Sequence, residues 1–298
     1  MPGYAITEIT HSPYGLFLPR ALDEDGDVLG GVMNCGTRPA RYDAASGSYS
    51  ILTPLPEDDA EAISAASDGT ILVRDLNFWR RSYRWKDGVL ESIGSLGGQR
   101  TYATAMNAAG WVVGWADLAS GNGTPHAFLH DGTTMKDLGE GFANAVSGAG
   151  EIVGIKGQEA AVFESPTILL PIPSRAVAYD VSDTGVVVGS AGQGLDQKWP
   201  PLAFVYDLRT GSVTEVAPLP GDVTVTLVDV NRSGTLAVGG SGNREQARSV
   251  VWADGHLYDF STYVGVQGAP TTIAVRDVND RGQFLISSSI RYYVLTPR

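Results

Sequence analysis

One short pattern recurs seven times along this chain, and it limits the fold more than any other feature. Its clearest copy is Ala103-Thr104-Ala105-Met106-Asn107-Ala108-Ala109-Gly110-Trp111-Val112-Val113-Gly114: an alanine-spaced strand, a polar turn closed by glycine, then an apolar strand. Related copies run over 143–154, 178–189 and 227–239, with weaker ones over 21–31, 62–73 and 275–286. The turn glycines are Gly26, Gly69, Gly110, Gly150, Gly185, Gly234 and Gly282, spaced 35 to 49 residues apart. That period is the length of a β-propeller blade.

Each unit has a second half. A third strand follows, as in His126–His130, Leu202–Tyr206 or Ser249–Trp252, then a turn such as Asp131-Gly132, Asp254-Gly255 or Asp87-Gly88. A fourth strand closes the unit, as in Met135–Leu138, Val89–Ser92 or Val213–Val216. Asn107, Asn231, Asn279, Ser147 and Ser182 stand three residues before their glycines, where a short polar side chain can hydrogen-bond the turn backbone. Runs such as Val186-Val187-Val188-Gly189 are too apolar for a sheet wet on one face and suit strands sandwiched between neighbouring blades.

The ends of the chain complement one another. Residues 290–295 form the third strand of the seventh unit and no fourth strand follows, while 4–9 form a strand with no unit before it. Pairing them removes two open sheet edges. The sequence thus predicts an all-β fold. It is one seven-bladed β-propeller domain over 1–298, of four-stranded antiparallel blades, with the N-terminal strand 4–9 completing the last blade. A curved open array, or six blades with one degenerate unit, is the alternative.

Composition narrows the function classes. With 298 residues of which 43% are hydrophobic, the chain can bury a large core, and no apolar run is long enough to span a bilayer, so no membrane partner is expected. A net charge of −12 repels a phosphate backbone, so nucleic acid is not an expected partner. Cys35 is the one cysteine, which excludes an intramolecular disulfide. Residues 1–4 precede no basic-then-apolar export signal, which reads as cytoplasmic, or as extracellular if a signal has been removed.

The segment 107–139 resembles the HAF repeat, a bacterial repeat of propeller type named for the triplet that here reads His126-Ala127-Phe128. The order of an alanine-spaced strand, Asn-x-x-Gly turn, Val-Val-Gly strand, His-Ala-Phe and a closing Asp-Leu-Gly is met there, and partly around Gly150, Gly185 and Gly234. The resemblance implies the propeller fold, and an exported setting in many members, but no activity.

Candidate chemistry follows from topology. The hairpins between first and second, and third and fourth, strands are short and repetitive, so the opposite face carries the irregular loops. Residues ten before each turn glycine are expected to ring the channel mouth on that face: Leu16, Asp59, Arg100, Glu140, Arg175, Thr224 and Thr272. They form either a self-neutralising salt-bridge ring or a ligand-binding mouth. Loops between second and third strands add Trp115 onward to His126, Lys198 with Trp199, and Asn77, Phe78, Trp79, Arg80 and Arg81. Arginine and aromatic side chains on a concave face suit a planar, sugar-like or anionic ligand, and the expected contacts are Arg100, Arg175, Tyr102, Trp115, Trp199, Lys198, Trp79 and Arg80. The bland reading is that these side chains cover blade ends.

Metal chemistry is not expected. His126 and His130 share one face of a strand but stand ~13 Å apart, too far for one ion. The segments 23–27 and 277–282 faintly resemble calcium loops, lack the closing glutamate, and fall where every unit has its hairpin. No phosphate loop, dinucleotide fingerprint or Gly-x-Ser-x-Gly elbow is present, and no cofactor is implied. Three functions fit. The favoured one is a small-molecule-binding propeller with its site at the channel mouth. The second is a lyase, cyclase or hydrolase using Arg100 and Arg175 as an anion clamp with Asp59 or Glu140 as acid or base. The third is a scaffold for a protein partner.

Overall fold

Six of the seven turns of the repeat are organised by a polar residue three positions before the glycine; in the second unit that place is taken by Ala66. In the third unit the Asn107 side-chain oxygen accepts hydrogen bonds from the Ala109 amide at 3.1 Å and the Trp111 amide at 3.0 Å, and Gly110 takes φ 81°. Ser182 accepts from the Val186 amide, Asn231 from Thr235 and Leu236, and Asn279 from Arg281 and Gln283. These bonds satisfy backbone donors that a tight hairpin leaves unpaired, so the asparagines are buried without being orphaned. Asn107 also donates to the Ser147 carbonyl of the next turn at 2.8 Å, which ties one hairpin to its neighbour.

The computed structural model describes residues 3–54, 59–77, 81–119, 123–172, 175–192, 202–243, 246–265 and 273–298. It is an all-β, seven-bladed β-propeller of antiparallel sheets. Blade 1 pairs His11–Ser12, Gly15–Leu22, Val28–Met33, Thr37–Asp43 and Ser48–Ile51 in that order. Blade 2 is Ala60–Ala65, Ile71–Asp75, Ser82–Lys86 and Val89–Ser92; blade 3 is Gly97–Met106, Val112–Leu118, His126–His130 and Met135–Glu140. Blade 4 is Phe142–Val146, Ile152–Lys156, Glu159–Val162 and Ile168–Leu169; blade 5 is Ala176–Val181, Val186–Ala191, Leu202–Asp207 and Ser212–Val216. Blade 6 is Thr224–Val230, Leu236–Gly242, Ala247–Ala253 and His256–Asp259. Blade 7 is Ala274–Val278, Phe284–Ser288 and Arg291–Pro297, completed by Tyr4–Glu8 from the other end of the chain. The two-residue strand His11–Ser12 at the edge of blade 1 has no counterpart in the repeat.

Two compact units make up the chain, one of 9–152 with 163–166 and the other of 1–8, 153–162 and 167–298. In the first, apolar clusters lie between neighbouring blades: Leu29 and Leu52 against Ala60, Ala62, Ile71 and Val73, then Leu72 and Ile93 against Ala103, Val112 and Phe128. In the second, Val188 and Val216 meet Val225, Leu227 and Val250, and Val238, Val251 and Phe260 meet Val275, Phe284 and Leu295. The closing strand pairs Tyr4 with Pro297 through Glu8 with Tyr293. Tyr4 packs 5.8 Å from Phe284, and burial, aided by the nearby Tyr263 phenol, pushes its own phenol up to about 12. It remains a neutral hydrogen-bonding group at any ordinary pH.

The glycine that ends the Val-Val-Gly strand also has a physical cause. The inner strand is bulged opposite it, as between Ala103 and Ala105, and this turns the Tyr102 carbonyl toward the position of a Gly114 side chain. A Cβ there would overlap that oxygen, and the same overlap exists at Gly30, Gly189 and Gly239. In blades 2 and 7 the position holds Val73 and Ile286, and nothing in the structure explains the difference.

Just past the bulge, Asp180, Asp229 and Asp277 occupy equivalent places in blades 5, 6 and 7. Asp180 accepts from the Val230 amide at 2.9 Å, and Asp229 from the Val278 amide at 3.0 Å, so each reaches into the next blade. Burial, then the adjacent Asp277 and Asp180 carboxylates, push the Asp229 carboxyl well above its ordinary range. Asp229 keeps part of its surface accessible, so the charge clash, which needs no dryness, is the firmer of the two causes. A carboxyl raised in the folded state withholds stability progressively as pH climbs from the ordinary carboxylate range, about 4, toward its folded value. Asn at this site keeps the acceptor for Val278 and needs no proton. Asp229→Asn is therefore expected to raise the melting temperature at pH 8 and to lose that advantage near pH 4, as read by thermal melts across that range. Each unit of raised pKa is worth about 1.4 kcal/mol, or roughly 2–4 °C.

Candidate functional site

Blades 2 and 3 build a cavity of about 500 Å³ from three stretches of chain: Arg81, Ser92 with Gly94 and Ser95, and Gly98 with Gln99 and Thr101. These are the connection entering the third strand of blade 2, the link from its outer strand to blade 3, and the start of the blade 3 inner strand. All lie on the face opposite the repetitive hairpins, where loops were expected to carry function. Gly98 allows this arrangement, because a Cβ there would overlap the Asp117 backbone. The backbone beneath is pinned by Ser82, 1% exposed, which donates to the Thr101 carbonyl and accepts from the Ala103 amide.

Among the described residues the side chains lining the cavity are polar. Ser92 and Ser95 accept the Gly94 and Gly97 amides at 3.2 and 3.1 Å, which leaves each hydroxyl proton to donate elsewhere. Thr101 is 2% exposed and its hydroxyl has no hydrogen-bond partner. Arg81 is exposed and forms no ion pair among the described residues.

Side chains of Arg100 and Tyr102 leave the same strand on the side opposite Thr101. Arg100 meets Asp117 through two bonds of 2.8 and 2.9 Å, and the guanidinium holds the Asp117 carboxyl below its ordinary range. Trp115 lies 5.6 Å from the Tyr102 ring and 5.8 Å from Phe142, with the Arg100 guanidinium 5.4 Å from its centre. On the far side of Tyr102, Arg74 stacks at 4.4 Å while bonding Glu61 at 2.6 Å. Arg20 completes a triad on Glu61, which is 2% exposed. Three of the residues expected to bind a ligand, Arg100, Tyr102 and Trp115, are thus brought together, but as a packed and paired cluster beside the cavity.

The remaining candidates are dispersed. Asp59 accepts the Thr37 amide at 2.9 Å and anchors the entry to blade 2 against blade 1. Glu140 was expected at the channel mouth from its offset to Gly150. It ends the outer strand of blade 3, opposite His126, because Gly141 alone links that strand to the next inner one. Arg175 precedes the blade 5 inner strand with φ 67°, its carbonyl accepting from Gly192, and it belongs to the other compact unit. Trp79, Arg80, Lys198, Trp199 and Thr272 lie outside the described residues.

His126 pairs with Asp137 at 2.8 Å, and buried His130 accepts the Gly132 amide. The stretch 23–27 is a hairpin turn in which Asp23 accepts the Asp25 and Asp27 amides. Among the described residues no group of three His, Cys, Asp or Glu is placed to hold a metal ion, and no helix is long and apolar enough to cross a membrane. The signal for the cavity lay in the Ser- and Gly-rich run 92–99, which opens the backbone between two blades. Thr101 carried no signal, since a threonine on a strand looks like any other.

No protein-family model and no curated protein sequence matches the chain. Solved structures match it as folds. A structure of YCF48 bound to D1 peptide is similar over 100% of this chain and 96% of its own, at 11% identity and TM-score 0.61. An oligogalacturonate lyase from Vibrio parahaemolyticus covers 99% and 97%, at 9% identity and 0.60. A chain of the mitotic checkpoint complex covers 100% and 92%, at 12% identity and 0.60. At these identities the likeness is one of fold alone.

The buried triad and the exposed pair should respond differently to truncation. Glu61→Ala leaves Arg74 uncompensated and is expected to cost about 3–5 kcal/mol in denaturant unfolding. Arg100→Ala, at a half-exposed pair, should cost under about 1 kcal/mol.

Proposed function

We propose that this β-propeller is a small-molecule-binding protein whose ligand sits in the cavity between blades 2 and 3. One observation carries the reading: among the described residues every side chain lining the cavity is polar, and its cation, Arg81, has no carboxylate partner. A hollow left over from blade packing is lined by the apolar side chains that pack there. The volume, about 500 Å³, lies within the range of ligand pockets. The HAF-like unit over 107–139 belongs to this reading as the frame that holds Gln99 and Thr101 in place. The reading keeps the loop-bearing face and moves the site from the channel mouth to one junction of blades.

The enzyme reading asks for a carboxyl of raised pKa facing a cavity beside an arginine. Among the described residues the carboxyls held high are Asp23, in a hairpin, and Asp180 and Asp229, against backbone amides, and none of them lines the cavity. Binding is therefore the better-supported function.

Isotope-labelled protein titrated with a mixed library of neutral and charged metabolites tests it. The expected result is amide shifts centred on Gly94, Gln99 and Thr101. The doubly substituted Arg81→Ala/Gln99→Ala protein should lose them while its stability stays within about 0.5 kcal/mol. Shifts confined to another face, or none at all, would overturn the reading.

A further inference from the structure

We propose that Arg84 and His130 form a binding site for a phosphoryl group on the face of the repetitive hairpins, where blades 2 and 3 meet. The site is separate from the cavity, which opens on the opposite face and is lined by neither residue. The two stand or fall independently.

The unspent charge of Arg84 is the first ground. Arg41 pairs with Leu29 and Arg84 with Leu72, the same register in blades 1 and 2. Arg41 is bonded to Asp27, the residue after the turn glycine Gly26. In blade 2 the residue after Gly69 is Thr70, and Arg84 has no hydrogen-bond or ion-pair partner among the described residues. Its side chain is half-buried, yet its nitrogens stay open to solvent. The guanidinium is laid across two turns of blade 3. A Cβ on Gly110 would stand 3.1 Å from one η nitrogen, and a Cβ on Gly132 would stand 3.2 Å from the other. The two glycines thus make the notch that the guanidinium fills.

A second donor at the same notch is the second ground. His130 is 8% exposed, and its Nδ1 accepts the Gly132 amide at 3.2 Å, which places the ring proton on Nε2. That nitrogen bonds nothing among the described residues and is not sealed from solvent. Burial first, then the Arg84 charge, hold the imidazole below its ordinary range, so the two side chains are electrostatic neighbours. Asp131 acts on the imidazole in the opposite sense, but it is taken up by the Thr133 and Thr134 amides and by Lys136. Lys86 is tied to Asp68. With these pairs cancelled, Arg84 leaves one positive charge, and a proton on His130 makes it two. A carboxylate has two coplanar oxygens, and the Arg84 fork would take both. A phosphoryl group keeps further oxygens at tetrahedral angles for the imidazole, and its double charge matches the protonated pair.

Nuclear magnetic resonance of the whole chain tests the site through the His130 ring protons and the Gly132 amide. The probes are inorganic phosphate, sulfate, glycerol phosphate and acetate at fixed ionic strength. The first three are expected to shift both signals saturably, with acetate at least about tenfold weaker. The exposed His11 and His256 ring signals should stay in place. Sulfate keeps a constant charge, so its binding should raise the His130 pKa and, by linkage, tighten as pH falls. Arg84→Gln should weaken phosphate, sulfate and glycerol phosphate about tenfold or more, whereas Arg209→Gln, at the surface pair with Asp207, should not. Thr70→Asp, which rebuilds in blade 2 the pair of Arg41 with Asp27, should block the site with Arg84 still present.

No saturable shift by phosphate, sulfate or glycerol phosphate overturns the site. So does binding that Arg84→Gln leaves unchanged, or shifts centred away from His130 and Gly132. Acetate binding as tight as sulfate overturns the phosphoryl assignment. Tighter binding of glycerol phosphate than of phosphate assigns the group to an esterified ligand, and the reverse order to the free ion; either order supports the site. None of these outcomes bears on the cavity, whose Gly94 and Gln99 amides are read in the same spectra.

Discussion

Val112 and Val113 are consecutive residues on one strand, so their side chains leave opposite faces of the sheet, and both are fully buried. A strand of that kind cannot exist at the surface of a two-layer protein. It needs another sheet on each side, and every blade inherits the same need from its own middle strands. The rest of the architecture answers this requirement. Apolar clusters form between blades, the hairpin of Asn107 is tied to the next one, and the chain's first strand returns to complete its last sheet.

The same requirement sorts the faces of the molecule. Hairpins on one side are short, because Asn or Ser satisfies the turn backbone and glycine closes it. The connections on the other side carry no such constraint. There the run 92–99 leaves blade 2 and enters blade 3 with glycines at 94, 97 and 98, and the open backbone leaves room for a polar cavity. Most charged side chains near it are already committed. Arg100 belongs to Asp117, and Arg74 and Arg20 belong to Glu61, whereas Arg81 has no such partner among the described residues.

Much of the fold was legible because the repeat is a physical object. Asn107, Asn231 and Asn279 do at the turns what short polar side chains do in tight hairpins, and the strand 126–130 falls where the repeat placed it. The site was legible only as a face. A fixed offset from the turn glycine assigned Glu140 to the channel mouth without showing that it ends the outer strand of blade 3, one residue before the next inner strand begins. The short strand His11–Ser12 was missed for a similar reason: it lies outside the repeat and is held by pairing with Leu16 and Gly15.

The amino-acid sequence by itself determined the number of blades, the order of strands, the turn chemistry and the pairing of the two chain ends. These depend on local patterns of burial and hydrogen bonding that repeat along the chain. Only the tertiary structure decided which polar groups are spent on one another and which, among the described residues, are not. Arg100 and Arg81 look alike in sequence, as do Thr101 and its neighbours. Whether a guanidinium or a hydroxyl has a partner depends on residues brought together from separate strands, and distance along the chain does not encode that.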